Sequence, residues 1–345
     1  MKILLTSAGR RGYLVKYFME AVEKQDEIHV ANSSPNSTAM KYGHKSVTTP
    51  LIYSEEYIPF LKNYCVKNKI DALISLFDID LQILSNNKKE FEDIGVEVIV
   101  SSKALISICN DKWLTFNYLT KKGFNTPLTF LSVVDAVKAV RKGIVKFPLI
   151  VKPRWGMGSI SVFEAESLHE LEILYKKTKN AIDSTYLSYE SQEDLEKCVV
   201  IQEKLLGQEY GLDIINDLEG NYQVTIVKSK IAMRSGETDC AETVMNADLD
   251  YMGMQLSKAL GHVGNLDVDA FIVDGSPYIL EMNARFGGGY PFSHIAGVNL
   301  PLAITRWLKG ERVDSKILTA EIGVIGYKDI VVINDRVKAA PPSLS

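Results

Sequence analysis

Cysteine is scarce in this sequence, and what there is has no organisation. The 345 residues include four cysteines, Cys65, Cys109, Cys198 and Cys240, far apart and never in a C-x-x-C arrangement. That spacing indicates neither a zinc knot nor a disulfide framework. Five histidines are scattered without an H-x-H or H-E-x-x-H pairing. No apolar run approaches the roughly 20 residues that a membrane-spanning helix needs, so no membrane partner is expected. Neither charge sign dominates: 39 Lys and Arg stand against 43 Asp and Glu, a net charge of −4. That balance gives no reason to expect nucleic acid. The first residues, MKILLTSAGRRG, place an apolar run before basic ones, the reverse of a secretory signal. They read as a buried first strand, and the cytoplasm is the expected compartment.

A dinucleotide fingerprint is missing as well. The turn after the first strand is Gly9-Arg10-Arg11-Gly12, without the G-x-G-x-x-G spacing, and the second strand ends in Ala31-Asn32-Ser33 where a ribose-binding acid belongs. A nicotinamide oxidoreductase is therefore disfavoured. Arg10 and Arg11, at the mouth of a strand-to-helix turn, are able to receive an anion or simply to face solvent.

What is present is a globular composition, 46% hydrophobic and 24% charged, long enough for two or three domains. The first third alternates strands (KILLTSA, EIHVANS, DALISLF, VEVIVSS) with helical stretches, which predicts a parallel sheet with helices on both faces. Asp78 and Asp80 fall at the carboxyl end of one strand, where such sheets bind ligands. From NDKWLTFNYLTKKG onward the texture changes. Asn110 or Asp111 caps a helix that Gly123 closes. FPLIVKPRWGMGSISVFEA then reads as a hairpin, so the second part is α+β with antiparallel pairing.

Four segments there place charge or glycine where a nucleotide would want it. Lys152 ends a buried strand and is followed by a loop with Gly156, Gly158 and Ser159, able to set an ammonium and backbone N–H groups on phosphates. It is not a P-loop. The strand Val199–Ile201 runs into Gln202-Glu203-Lys204-Leu205, a linking segment with free backbone groups for a base edge. Glu209 and Asp213 follow, as carboxylates for ribose hydroxyls. In KSKIAMRSGETD, Lys228, Lys230 and Arg234 cluster as cations. Lastly, YILEMNARFGGG alternates Leu280, Met282 and Ala284 on one face with Glu281, Asn283 and Arg285 on the other. A hairpin turning at Asp274-Gly275 is expected to bring Asp269 beside Glu281. Two adjacent carboxylates repel, but a divalent cation between them, with Asn283 as a third oxygen ligand, makes the arrangement favourable. Oxygen-only ligation suits Mg²⁺ held together with phosphates.

Taken together, KPRWGMGS, QEKLLGQEYGLD, MRSGETD and LEMNARFGG resemble the ATP-grasp enzymes, in the branch of the carbamoyl-phosphate synthase large chain, biotin carboxylase and amino-acid ligases. The resemblance covers about residues 110 to 300. The implied fold is an α/β parallel-sheet domain that precedes ATP-grasp (1–110), an α+β ATP-grasp domain (111–310) with a small lid subdomain at about 115–195, and a C-terminal segment (311–345). Implied roles put Lys112 and Lys152 on ATP phosphates, Glu203 and Leu205 at adenine, Glu209 at ribose, and Gly156, Gly158 and Ser159 in the glycine loop. Asp269, Glu281 and Asn283 would hold Mg²⁺, or Mn²⁺ in its place, and Arg234 and Arg285 would face the reacting group. One departure is Asp269, where relatives often carry the longer Glu or Gln.

The resemblance implies a carboxylate–amine ligase that forms an acyl phosphate and releases ADP and phosphate. Its partners would be small carboxylates and amines, amino acids among them, with a homodimer left open. The competing reading is a nucleotide-binding or regulatory module without turnover. Biotin carboxylase proper is disfavoured by length, and the carbamoyl-phosphate large chain has two such halves.

Overall fold

The structure, a computed structural model, describes residues 1–156 and 160–333. Strand and helix alternate through the first hundred residues: β1 (Lys2–Thr6), α1 (Gly12–Ala21), β2 (Glu27–Asn32), β3 (Lys45–Thr48), α2 (Tyr57–Asn68), β4 (Ala72–Ser75), α3 (Asp78–Glu92) and β5 (Glu97–Ile99), followed by α4 (Lys103–Asn110). The five strands make one parallel sheet in the order β3-β2-β1-β4-β5. Alternation along β1 sends Ile3 and Leu5 to the α1 side, with Leu14 and Phe18, and Leu4 to the side of Leu61 and Leu84. Connections leave β1 to opposite sides, so the gap between β1 and β4 is a switch point where loops part. Of the five strands, β3 alone escapes a reading of the sequence, because KSVT is a short polar edge with an exposed pattern.

Asp111, not Asn110, caps α5 (Lys112–Lys122), accepting from the Trp113 and Leu114 N–H groups at 2.9 and 3.2 Å. Gly123 ends the helix at φ 81°. Next come β6 (Thr129–Phe130), α6 (Val133–Arg141), β7 (Leu149–Pro153), β8 (Phe163–Ala165), α7 (Leu168–Asp183), α8 (Leu187–Glu190) and β9 (Val199–Glu203). Their strands form a small antiparallel sheet, β6-β9-β7-β8, with its own core of Leu149, Val151, Leu171, Ile182 and Ile201. Trp155 belongs to that core, with the Arg154 guanidinium 4.3 Å from its ring centroid, so its work is packing.

The remaining strands are β10 (Gln208–Asn216), β11 (Tyr222–Arg234) and β12 (Glu237–Thr243), then, after α9 (Ala247–Leu260), β13 (Asn265–Val273) and β14 (Ser276–Asn283). The chain continues through α10 (Tyr290–Ile295), α11 (Leu300–Leu308) and β15 (Ile325–Tyr327). These strands form a second antiparallel sheet, β14-β13-β10-β11-β12-β15. One face is sealed by α9, where Leu249, Met252 and Leu256 meet Leu212, Val268 and Met282. The other face looks toward the glycine hairpin. No helix among the described residues is long and apolar enough to cross a membrane.

Candidate active site

The site begins with a register. Asp274 and Gly275 take φ values of 48° and 78° in a two-residue turn that pairs Val273 with Ser276. Continued without a break, that pairing would set Asp269 opposite Leu280. Instead Ala270 pairs with Ile279 and Asp269 with Glu281, which leaves Leu280 as an extra residue in a β-bulge. The bulge does two things. It puts the two carboxylate residues directly opposite each other, and it turns Leu280 into the cleft, leaving Ile279 on the buried face. A simple alternation, with Leu280 buried, is corrected accordingly.

Facing them across a cleft of about 700 Å³ is the small sheet. Asp111 joins its two lysines. Besides capping α5, its carboxylate takes a two-pronged bond from Arg154, Nε to Oδ1 at 2.8 Å and Nη2 to Oδ2 at 2.7 Å. This fastens the start of α5 to the end of β7 and brings Lys112 and Lys152 to the same wall. The Lys112 ammonium donates to the Gly156 carbonyl at 2.7 Å. Gly156 has φ 113°, a conformation that favours glycine, and a Cβ there would also push on the Leu187 Cδ2 methyl 2.5 Å away. Gly158 and Ser159 lie outside the described residues.

Lys152 is 6% exposed and, among the described residues, its ammonium has no hydrogen-bond acceptor. Burial pushes it down to about 8, with Lys112 adding to that and Glu281 and Asp269 opposing. Burial also opposes the charge of Glu281, yet Lys112, Lys152 and Arg285 together hold its carboxyl below the usual range. Asp269 goes the other way. Burial first, then Asp267 and Glu281, push it up to about 6 against the pull of Lys230. Lys230 Nζ reaches both Asp269 Oδ1 and Glu209 Oε1 at 2.6 Å and lies almost wholly buried.

At one end the cleft is apolar, lined by Ile150, Phe271, Leu280 and Leu205. Beside it the chain crosses between the sheets at 204–207. There the N–H and C=O groups of Lys204 and Leu205 make no backbone hydrogen bond among the described residues. Half-buried donors and acceptors left open at the lip of an apolar slot suit the edge of a base. Glu203 lines the cleft, but its carboxylate accepts from the Leu128 N–H at 3.1 Å and its own N–H donates to the Leu128 carbonyl at 2.8 Å, which leaves its carbonyl as the contact it can offer.

The opposite end belongs to the parallel-sheet domain. Arg285, next to the strand end, donates from Nε to Asp78 Oδ2 at 3.0 Å and from Nη1 to Asp267 Oδ2 at 2.7 Å. Burial opposes its charge, but Asp78 and Asp267 hold the guanidinium above its ordinary range. Its Nη2 makes no hydrogen bond among the described residues. Gly287 is required because a Cβ would lie 2.1 Å from the Asp267 carboxylate. Lys228, Asp213, Ser293 and Asn265 form a buried network behind the Gly287–Gly289 loop.

Of the residues singled out in the sequence, the structure brings Lys112, Lys152, Gly156, Glu203, Leu205, Glu209, Asp269, Glu281, Asn283 and Arg285 to this one cleft. Arg234 is a correction. It stands on an exposed hairpin, bonded to Asp239, and does not line the cleft. Strand β11 runs past β10 there and is paired with β12 alone, so the side chain reaches solvent. Asp213 is buried against Lys228 and is not among the cleft-lining residues. Asp78, which the sequence places at a ligand-binding strand end, lines the cleft as well, whereas Asp267 and Leu280 were missed as site residues. The carboxylate in Asp267-Val268-Asp269, two residues from a candidate ligand on the same strand face, was a signal for Asp267.

These features define a charged cleft between two antiparallel sheets, backed by a parallel-sheet domain. The chain belongs to the ATP-grasp family, whose domain model matches residues 109–289, and the model of a PylC-like N-terminal domain matches residues 3–99. The carbamoyl phosphate synthase large chain of Sulfolobus acidocaldarius is 24% identical over 332 residues, covering 90% of this chain and 30% of the relative. The chain thus spans under a third of that relative's length. Among solved structures, the biotin carboxylase domain dimer of Hydrogenobacter thermophilus 2-oxoglutarate carboxylase, with MgADP, ADP and bicarbonate, superposes with a TM-score of 0.70 at 15% identity, covering 90% of this chain and 70% of that one. An L-amino acid ligase from Bacillus licheniformis does so with 0.65 at 19%, covering 88% and 73%. The likeness in structure is one of fold.

The family uses ATP with Mg²⁺. Among the described residues no three acidic, His or Cys side chains gather closely enough to hold a metal by themselves. The donor set nevertheless fits: two register-matched carboxylates and the Asn283 amide are all oxygen ligands, a set that Mg²⁺ completes with phosphates and water.

Proposed function

We propose that the protein is an ATP-dependent carboxylate–amine ligase that works through an acyl phosphate and releases ADP and inorganic phosphate. One observation carries the reading: Asp269 and Glu281 stand opposite each other on a cleft wall that faces Lys112 and Lys152, with Arg285 at the end of the same wall. Among the described residues no Cys or His lines the cleft, and the serine that does, Ser7, donates its hydroxyl to Asp80 Oδ2 at 2.9 Å, so no Ser, Cys or His nucleophile is on offer there. Phosphoryl transfer needs none, because positioning and charge stabilisation supply the rate.

In this reading the base lies in the apolar slot against Leu280, with its edge on the backbone of the 204–207 crossing. The ribose sits by Glu209, whose carboxylate Lys230 fixes in place. Lys152 and Lys112 take phosphate oxygens, and the ammonium of Lys112 also ties down the hairpin through Gly156. Asp269, Glu281 and Asn283 would hold Mg²⁺, whose chemistry is to bridge phosphate oxygens and neutralise their charge. Arg285, immobilised by Asp78 and Asp267, presents its free Nη2 to the reacting group. A carboxylate oxygen of the substrate attacks the γ-phosphorus and ADP departs. An amine then attacks the acyl carbon, phosphate departs, and the amine's extra proton is lost to solvent. Closure of the small sheet over the cleft excludes water, which protects the acyl phosphate.

Incubation with ATP, Mg²⁺, hydroxylamine and a panel of carboxylic and amino acids tests this. The expected products are a hydroxamate, ADP and phosphate in equal amounts. AMP and pyrophosphate in their place would move the protein to an adenylating class, and no nucleotide product with any acid would leave a binding module without turnover.

A further inference from the structure

The parallel-sheet domain sends a second arginine to the Arg285 end of the cleft. Arg11 Nη1 donates to the Phe286 carbonyl at 2.6 Å, and Arg285 Nη1 reaches the same oxygen at 3.3 Å. The two Nη1 atoms are therefore no further apart than those two legs laid end to end. Two guanidinium groups sharing one carbonyl repel, and Arg11 is held below its ordinary range by burial and by Arg285. The two arginines are not equally compensated. Arg285 has two carboxylates, whereas Arg11 has none within 4 Å among the described residues. Asp78 and Asp267 act on Arg11 from a distance and are already bonded to Arg285. Arg10, adjacent in the turn, also lines the cleft, is exposed, and forms no ion pair or hydrogen bond among the described residues.

The geometry points to Arg11 and Arg10 as a seat for an anionic group, carboxylate or phosphate, carried by the non-nucleotide substrate. A half-buried guanidinium without a carboxylate, pressed against a second one, is an arrangement an arriving anion relieves. The guanidinium fork matches both anions in a planar, two-pronged way. The nucleotide's own phosphates are assigned to a different stretch of the wall, around Lys152, Lys112 and Glu281. Arg285 follows the end of β14 in a tight turn, its N–H on the Asn283 carbonyl at 2.9 Å, and Arg11 packs against it from the parallel-sheet domain. So the acid, the amine or both carry a second anionic group that is not consumed. This rests on the ligase reading, which supplies the nucleotide at the other end.

The test uses the full chain saturated with MgADP, titrated with succinate in one arm and inorganic phosphate in the other at constant ionic strength, with melting temperature as readout. The wild type should show a saturable rise in at least one arm, and the arm that responds gives the chemical class. Arg11→Gln and Arg10→Gln should each raise the half-maximal concentration about tenfold or more, the loss of a charge-assisted contact. Arg11→Gln also loses the Phe286 bond and starts from a lower melting temperature. Arg10→Gln has no bond to lose and should start from the wild-type value, so the ligand-specific shift is what decides. No shift with either anion in wild type, or equal shifts in wild type and both variants, overturns the seat. Absence of the initial MgADP shift would instead sink the nucleotide reading, so the two failures are distinct.

Discussion

Arg285 Nε lies 3.0 Å from Asp78 Oδ2, across 207 residues of chain. The bond ties the end of the candidate metal strand to the first turn of α3 in the parallel-sheet domain. Both partners are nearly buried, with side chains 7% and 5% exposed. Asp78→Asn keeps the shape and removes the charge. It should lower unfolding stability by about 1.5–3 kcal/mol, the range for a hydrogen bond to a charged group. Denaturant unfolding of the single variant checks this, and an unchanged midpoint would mean that Asp267 alone suffices to hold Arg285.

Lys152 gives a pH dependence with a definite sign. Its folded value, about 8, is below the unfolded 10.5. Burying the ammonium therefore costs apo stability at pH below 8, and the cost fades as pH rises from about 8 toward 10.5. For MgATP the direction reverses: affinity should fall as pH rises through 8, with proton uptake on binding above that pH. Calorimetry in buffers of differing ionisation enthalpy reads the uptake directly. Lys152→Ala should weaken MgATP by about 1.5–3 kcal/mol. Unchanged affinity would make Lys152 a purely structural lysine.

A second titration concerns stability alone. His262 is fully buried, its Nε2 2.9 Å from the Ile214 carbonyl, and burial pushes it down to about 4. An imidazole that is neutral when folded and protonated when unfolded supports stability above pH 6.5, and that support is lost as pH falls from 6.5 to 4. The slope should amount to about 3 kcal/mol over that window, at 1.36 kcal/mol per unit. Melting curves of wild type and His262→Gln from pH 7 to 4 separate this share from general acid denaturation. Parallel curves would contradict it.

Much of the fold is legible because local signals and tertiary structure agree. Asp111 and Gly123 bracket α5 as their chemistry dictates, and Asp274-Gly275 makes the turn its residues favour. The pairing of Asp269 with Glu281 could be anticipated only in outline, since a two-residue turn alone would have missed it by one position. The bulge at Leu280 leaves no mark in the alternation, which is also why Leu280 was read onto the wrong face. Asp78 with Arg285, and Arg11 with Phe286, join distant parts of the chain, and no spacing or periodicity reports such pairs. Arg234 shows the converse failure: a basic cluster in one strand is split by the irregular register between Lys230 and Met233 and by the run of β11 past β10, with Lys228 and Lys230 inward and Arg234 in solvent.

The central claim is that Asp269 and Glu281 exist to hold Mg²⁺ on nucleotide phosphates, and MgATP binding to Glu281→Gln tests it most directly. Three cations now stabilise the Glu281 carboxylate, so the apo variant should melt somewhat lower while remaining folded. Calorimetric titration with ATP, with and without Mg²⁺, is the measurement. In wild type, removing Mg²⁺ should weaken ATP by about a hundredfold or more, equivalent to about 2.7 kcal/mol. In Glu281→Gln that dependence should largely vanish, because the anionic ligand is gone. A folded Glu281→Gln protein that keeps the full Mg²⁺ dependence would contradict the metal assignment and with it the proposed ligase.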